Sequence, residues 1–435
     1  MMYSPFYDGV GNPLPLSKVY FRHLGQLKEI EEGYKLEYKS TFDSSVKKKI
    51  PAIISSFANS EGGWLIIGID NDTHEPVCIP KNRTGYDQII SQLTKRVSPV
   101  PYYNTKFIRN PKNFNEGVLI VEVYEGQFTP YVSDGTVYVR NGSSKEPVPS
   151  QRSTIDYLYQ KARDFQDQLK DFCKRTIYFP HDGTGGTKNT SALPICNIYF
   201  KNIGKSLQST ILSFDDWDKL TEQVTTAQGD SLFTNAHHTF DSMIFRHRPI
   251  DPSTASVTPT MEIFRDLSTK IHIPLGFVSI DERENALEEL KRFGIVNGDQ
   301  INICDGIAAV GCVCGALLNI AAVYEAYHLS ISDLAICFEL ENTSNTALYF
   351  KEDSFFDDAK KNGLCVSSRS PVKSKPIFLR DFNNIDYGAL VSSLVYDFFL
   401  AEFGFLTPET EERIKKAIIE KYPFVAKENY TNNGI

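Results

Sequence analysis

The sequence predicts an α/β module at the N-terminus followed by a mixed α+β region. Three observations lead there. "SSVKKKIPAIISSFANSEGG" places Ile50, Ile53, Ile54, Phe57 and Ala58 at i, i+3, i+4 spacing, the mark of an amphipathic helix. "WLIIGID" is a short apolar run bounded by glycines and an acidic turn, which reads as a buried strand. Helical and extended patterns then alternate up to about residue 150, and the alternation is lost after the glycine-rich "HDGTGGTKNTS". The expected organisation is an α/β domain over 15–150, a bridging helix and linker over 151–189, and a mixed α+β domain over 190–435.

The elements follow in order. Residues 34–39 read as a strand, with Tyr34 and Leu36 on one face and Lys35, Glu37 and Lys39 on the other. The helix after it has Pro51 near its start, where a missing N–H costs least, and ends at Gly62 and Gly63. "WLIIGID" follows, then the turn "NDTHEP", then a helix in "TGYDQIISQLTKRV". "GVLIVEVYEG" and "TVYVRNG" are strands joined by "QFTPYVSDG", giving the order β-α-β-α-β-β. A long charged helix covers 149–175. "HDGTGGTKNTS" is a boundary loop and not a phosphate-binding loop, because Thr187 stands where a glycine must precede Lys188.

Farther on, "PICNIYFKNIGKSLQSTILSF" and "LAICFELENTSNTALYF" each read as a hairpin, and "DERENALEELKRFG" as a surface helix stopped by Gly294. Two helical stretches close the chain: "YGALVSSLVYDFFLAEFG", and "TPETEERIKKAIIEKY" with Thr407 as N-cap and Pro408 at its first position.

Composition narrows the function. The 435 residues are 41% hydrophobic and 23% charged, ordinary for a globular protein. The formal charge is −8, but residues 1–150 carry 17 Lys and Arg against 16 Asp and Glu, while the remainder carries 29 against 38. The N-terminal part is therefore the better candidate for meeting a polyanion. The 8 cysteines include no CxxC pair, which excludes a zinc ribbon and a thioredoxin motif. No basic start followed by an apolar core precedes the first domain, so a cytoplasmic location with reduced thiols is expected. "GIAAVGCVCGALLNIAAVY", 19 residues without a formal charge, reads as a buried helix and not a membrane span, because it holds three glycines and an asparagine and has acidic flanks.

The residues with chemical potential cluster early. Glu32 and Glu37 bracket the first strand, Lys39 follows, and Asp70 and Asp72 emerge at the end of the second. If the two strands are neighbours, these carboxylates converge and make a site for Mg²⁺ or Mn²⁺, with Glu32, Glu37 and Asp70 as ligands. Such a metal activates water for phosphodiester cleavage, and Lys39 neutralises developing charge. The ordinary alternative is solvated or structural carboxylates, with Glu37 pairing with Lys39 or Lys47 at a sheet edge. Lys47, Lys48 and Lys49 at the helix start, and Arg140 in "YVRNGSS", are candidate phosphate contacts. Asn59 is read as closing its helix end, with a place on a nucleic-acid face as the alternative.

"EGYKLEYKSTF", "IPAIISSFANSEGGWLIIGIDND" and "TPYVSDGTVYVRNGSS" together resemble the Schlafen AlbA-type domain over roughly residues 15–150. The matching positions are Glu32, Glu37-Tyr38-Lys39, Phe57-Ala58-Asn59, Gly62-Gly63, Gly68-Ile69-Asp70, Tyr138, Arg140, Gly142 and Ser143. The resemblance implies an AlbA-like fold and, in Schlafen-type nucleases, a divalent-metal-dependent endoribonuclease built on two Glu and one Asp. Glu32 and Glu37 match the two Glu. The family Asp falls three residues after the strand glycine, where this chain has Asn71, with Asp70 and Asp72 on either side.

The resemblance thus implies cleavage of structured, tRNA-like RNA in stress or antiviral defence. The alternative is a non-catalytic DNA- or RNA-binding regulator, or an effector subunit, whose C-terminal part binds a ligand or protein partner. A homodimer or higher homo-oligomer is expected, because Schlafen proteins pair two such lobes and this chain shows one. Glu37→Gln is expected to abolish cleavage and leave the fold intact.

Overall fold

Asp43 sets the start of the first long helix. Its carboxylate accepts the Ser45 and Val46 N–H groups at 2.8 and 2.9 Å, holding it below the usual carboxylate range at about 2. The helix therefore begins at Ser44 and runs to Asn59, which places Pro51 in its interior and not near its start. Pro51 leaves the Lys47 carbonyl without its intrahelical donor.

The structure, a computed structural model, describes residues 3–148, 152–176, 194–203, 214–226, 235–246, 259–277, 280–296, 301–327, 331–368 and 370–379, with a few isolated positions besides. The chain divides into two compact units, Met1–Asp171 and Phe172–Ile435.

In the first unit the order is β1 (Leu36–Lys39), α1 (Ser44–Asn59), β2 (Gly63–Ile67), β3 (Ile79–Pro80), α2 (Tyr86–Thr94), β4 (Val97–Ser98), β5 (Tyr103–Asn110), β6 (Asn113–Val123), β7 (Val132–Ser133), β8 (Thr136–Asn141), β9 (Ser144–Pro147) and α3 (Arg152–Phe172). β1 and β2 lie in one sheet and pair in parallel, with Glu37 opposite Leu65 and Lys39 opposite Ile67. β2 continues antiparallel to β6, which also pairs with β3 and β5. A smaller sheet has the order β4-β7-β8-β9. The first strand is shorter than its sequence pattern, because Tyr34 falls in a turn closed by reciprocal Gly33–Leu36 backbone bonds.

Both faces of the larger sheet are covered, which is why β2 is apolar throughout. Leu65 and Ile67 pack with Ile50, Ile53, Ile54 and Phe57 of α1 and Ile90 of α2. Trp64 and Ile66 pack on the other face against Phe6, Leu16, Val19, Leu24 and Leu27 of the N-terminal lead. Glycine is required between α1 and β2. A Cβ at Gly63 would meet the Phe57 ring at 2.3 Å, and one at Gly62, at φ +74°, would meet the Val123 carbonyl at 2.7 Å.

The second unit contains β10 (Ile195–Asn202), α4 (Phe214–Thr226), β11 (Asn235–His238), β12 (Ser242–Arg246), β13 (Thr260–Phe264), β14 (Thr269–Pro274), α5 (Ile280–Arg292), β15 (Asn302–Asp305), α6 (Gly306–Ala326), β16 (Leu334–Glu341), β17 (Thr346–Tyr349), α7 (Asp353–Asn362), β18 (Val372–Lys373) and β19 (Ile377–Phe378). Its main sheet runs β11-β12-β13-β14-β10-β16-β18, with β19 also on β16. One face, with Ile198, Phe200, Ile271 and Ile336, joins the apolar core with residues of α4, α5 and α6. The other buries a polar network. Tyr199 donates to Glu339 at 2.6 Å, Lys373 pairs with Glu339 at 2.7 Å, and His272 Nδ1 meets Asn197 Oδ1 at 2.7 Å.

The expected hairpin over 334–350 does not form. β16 and β17 are adjacent in sequence but belong to different sheets, because Asn342 and Asn345 at φ 56° and 59° turn the chain and β17 pairs in parallel with β15. β10 takes its partners from β14 and β16, and most of the expected second strand after it lies outside the described residues. So do the boundary loop and the two C-terminal helices, apart from isolated positions. The uncharged run becomes α6, N-capped by Asp305, whose carboxylate accepts the Ala308 N–H at 3.0 Å. No described helix is long and apolar enough to cross a membrane.

Candidate functional site

β1 is the edge of its sheet among the described residues, and its own side chains close that edge. The outward N–H of Tyr38 donates to Glu32 Oε1 at 2.6 Å. The outward Tyr38 carbonyl accepts from Lys39 Nζ at 2.6 Å. Gly33 exchanges both backbone bonds with Leu36, at 3.0 and 3.4 Å. Lys39 Nζ also lies 2.8 Å from Glu37 and 3.8 Å from Glu32, so the two carboxylates flank one ammonium.

Glu37 points away from the Leu36 and Tyr38 face and is buried. Arg140 Nη1 donates to its other oxygen at 2.7 Å. Burial alone raises the Glu37 pKa, but Lys39 and Arg140 outweigh it and the net shift is downward, so this buried carboxylate is ionised.

Arg140 is placed by α1. Asn59, at the helix end, donates to the Tyr131 and Tyr138 carbonyls at 2.8 and 2.9 Å and accepts the Tyr131 N–H at 2.7 Å. Neighbouring Ser60 accepts the Arg140 N–H at 2.9 Å. Asn59 thus clasps β8 and the chain before it to α1, a structural role instead of the expected closure of its own helix end. The Arg140 guanidinium lies 4.8 Å over the Phe57 ring, and its Nη2 donates to the Gly33 and Ser143 carbonyls at 2.6 and 3.0 Å. With its side chain out of solvent, Arg140 is not available to meet a phosphate directly, contrary to the sequence expectation.

A cation that the sequence did not flag sits beside it. Lys145 on β9 is the direct partner of Arg140 on β8. Like charges in that position repel unless an anion lies between them. Glu37 supplies that anion. Burial pushes the Lys145 ammonium down, Glu37 pulls it up, and Lys39, Lys49 and Arg140 push it down again. Lys145 has no acidic partner at ion-pair distance among the described residues. The cluster therefore holds Lys39, Lys49, Arg140 and Lys145 against Glu32 and Glu37. The available signal was "VYVRNGSSKE", a tight turn that sets Arg140 and Lys145 opposite each other. Of the other basic candidates, Lys47 lies 4.8 Å over the Phe42 ring and Lys48 is exposed on α1.

The acidic candidates do not all join the cluster. Asp70 Oδ1 accepts from the N–H groups of Asp72 and Thr73 at 3.1 and 2.9 Å and from the Thr73 hydroxyl at 3.0 Å, which lowers its pKa and closes its own turn. Asp72 and Asn71 are exposed on that turn. A divalent cation requires several converging oxygens. Among the described residues no group of three or more His, Cys, Asp or Glu is placed to hold one. Glu37 is occupied by two cations, Glu32 by a backbone N–H and Asp70 by its turn, so this donor set does not fit Mg²⁺ or Mn²⁺.

Comparison with known proteins agrees with this architecture in the N-terminal domain. Residues 32–149 match the protein-family model described as "Schlafen, AlbA_2". Poxin-Schlafen of Monkeypox virus is 28% identical over 80 residues, covering 18% of this chain and 16% of the relative. Poxin-Schlafen of Monkeypox virus strain Zaire-96-I-16 is 26% identical over 80 residues, with the same coverage. Poxin-Schlafen of Cowpox virus strain Brighton Red is 53% identical over 32 residues, covering 7% and 6%. The chain thus spans at most 16% of the length of these relatives. A solved structure, the DIP2311 protein from Corynebacterium diphtheriae, is similar at 18% identity and a TM-score of 0.21, covering 26% of this chain and 22% of that one. The motif glycines, the Asn59 clasp and the Glu37–Arg140 pair all fall inside the segment, residues 32–149, that matches the Schlafen AlbA_2 family model.

Proposed function

We propose that the N-terminal domain binds nucleic acid through the phosphodiester backbone, at the face where Lys39, Lys49 and Lys145 surround the buried Glu37–Arg140 pair. One observation carries this reading. Lys145 is half-buried opposite a buried arginine, with two more lysines close by and no carboxylate of its own. Glu37 and Glu32 answer Arg140 and Lys39 inside the fold, whereas Lys49 and Lys145 have no carboxylate at ion-pair distance among the described residues and are placed to meet an anion from outside. Arg140 acts as the internal brace, and the lysines meet the phosphates. The test is fluorescence anisotropy of the full chain with labelled RNA and DNA over a range of salt. Log affinity should fall linearly with log salt, and Lys145→Ala should make the slope shallower by about one contact. Salt-independent binding, or none, would refute the proposal.

A second reading is endoribonuclease action on structured RNA such as tRNA. Two features support it: the Schlafen-type domain, and the approach of Glu32 and Glu37 to a single ammonium on Lys39. Under this reading bound RNA draws Lys39 away from both carboxylates, which leaves Glu37 on Arg140 and Glu32 on the Tyr38 N–H with one oxygen of each turned toward the RNA. Purified protein would be incubated with total tRNA, with Mn²⁺ or with EDTA. Discrete fragments that persist in EDTA favour cleavage by these residues themselves, fragments that vanish with EDTA require a metal site that this donor set does not form alone, and intact tRNA in both arms leaves the binding reading alone.

A further inference from the structure

The domain also presents an aromatic ring that its own fold does not use. Tyr34 sits at the tip of the tight Gly33–Leu36 turn and is 40% exposed. Among the described residues its ring stacks on no partner and its hydroxyl makes no hydrogen bond. A lone exposed tyrosine is unremarkable by itself. Here the turn that carries it is braced from three sides. Arg140 Nη2 holds the Gly33 carbonyl at 2.6 Å. Lys35 pairs with Glu61 at 2.7 Å. The Lys35 ammonium also lies 5.9 Å from the Tyr3 ring centroid. The ring is therefore offered on a fixed support, which limits the ordering cost of using it.

The position of the turn gives the ring its meaning. The Arg140 nitrogen that holds Gly33 also holds the Ser143 carbonyl at 3.0 Å. Tyr34 follows Gly33 directly, and Lys145 lies two residues beyond Ser143. The turn that carries the unused ring and the turn that precedes the unpaired ammonium are thus held by one guanidinium. A phosphate contact with an aromatic face beside it matches a strand whose bases are free to stack, whereas a duplex keeps its bases inside.

We propose that this site takes single-stranded nucleic acid, with the phosphate on the lysines and an unpaired base stacked on Tyr34. The inference rests on the phosphate-binding reading above. It is tested on the full chain by anisotropy with four labelled probes: unstructured RNA, DNA of the same sequence, the DNA with abasic sites, and the DNA duplex. Tyr34→Ala should weaken binding to the two intact single strands about tenfold. It should leave the duplex and abasic probes unchanged, and Tyr34→Phe should bind as the wild type does. Lys145→Ala should weaken all four. An equal loss on every probe, or no loss, for Tyr34→Ala overturns the stacking proposal. A Lys145→Ala variant that binds normally overturns the phosphate reading and leaves stacking in place. Failure of the wild type to bind any probe overturns both. Equal losses on RNA and DNA assign the contact to the base, and a loss confined to one assigns it to that strand's sugar geometry.

Discussion

Arg140 and Glu37 meet at 2.7 Å across 103 residues of sequence, with the arginine side chain out of solvent and the glutamate nearly so. The pair joins the first strand to β8, so each residue matters to the fold before it matters to any ligand.

Glu37→Gln should therefore destabilise the N-terminal domain, contrary to the sequence-based expectation of an intact fold. Removing one member of a buried ion pair costs about 3–5 kcal/mol, because the other charge is left uncompensated. Thermal melts of wild type, Glu37→Gln and Glu37→Gln/Arg140→Met check this. The single variant should melt lowest, and the double variant should recover part of the loss. A single variant as stable as the wild type would show that the pair contributes nothing.

The same pair makes the domain acid-sensitive. The Glu37 pKa lies below its ordinary 4.5 in the folded chain, so the unfolded chain binds the proton first. Its contribution is complete above pH 4.5 and is lost as pH falls through the lower folded value. Urea melts from neutral pH downward should show the loss in the wild type and a flatter profile in Glu37→Gln/Arg140→Met. Parallel profiles would assign acid lability to other groups.

Asn59→Ala should act on the site from a distance. It removes the side-chain bonds from Asn59 to the Tyr131 N–H and to the Tyr131 and Tyr138 carbonyls, while the Tyr131 carbonyl keeps the Ser55 hydroxyl at 2.8 Å. Each hydrogen bond so lost costs about 0.5–1.5 kcal/mol. Stability and nucleic-acid affinity should fall together, because β8 carries Arg140. Full affinity in a destabilised variant would show that the clasp does not set the site.

These dependencies show what the sequence could and could not reveal. The α1 stripe, the β2 run and the glycine pair were legible because each is a local pattern with a local cause. β5 escaped notice because an edge strand with one paired side needs no apolar alternation, and "YNTKFIRN" has little. The Asp70 turn was readable in "DNDT", where a threonine three residues on completes the carboxylate's bonds, but the paired glutamates drew Asp70 toward a metal reading. The Glu37–Arg140 contact has no local trace, since nothing in either segment names the other.

In the second unit, burial and neighbouring cations Arg175 and Lys270 push the His272 pKa down from 6.5 to about 3. Asn197 Nδ2 donates to Glu341 at 2.9 Å, so its oxygen accepts the His272 Nδ1 proton and the imidazole is neutral. The unfolded chain takes up a proton near pH 6.5 that the folded chain refuses, so stability should fall as pH drops from 6.5 toward 3. NMR of the His272 ring should show a neutral imidazole with its proton on Nδ1 throughout that range. A ring that titrates near 6.5 would contradict this.

The sealing of β1 by Glu32, Gly33 and Lys39 also bears on how copies of the chain behave toward one another. A bare strand edge is a template, and any passing extended segment can extend the sheet and seed aggregates. Here the Tyr38 donor and acceptor are already taken by a carboxylate and an ammonium from the same strand region. Glu32 and Lys39 are thus guards of solubility, because they block addition of a foreign strand at this edge. Glu32→Ala/Lys39→Ala protein should gain turbidity and thioflavin fluorescence on storage while the wild type stays clear. For a glutamate and a lysine framing a strand, protection against self-association is a sufficient reason to be there, whatever else they do.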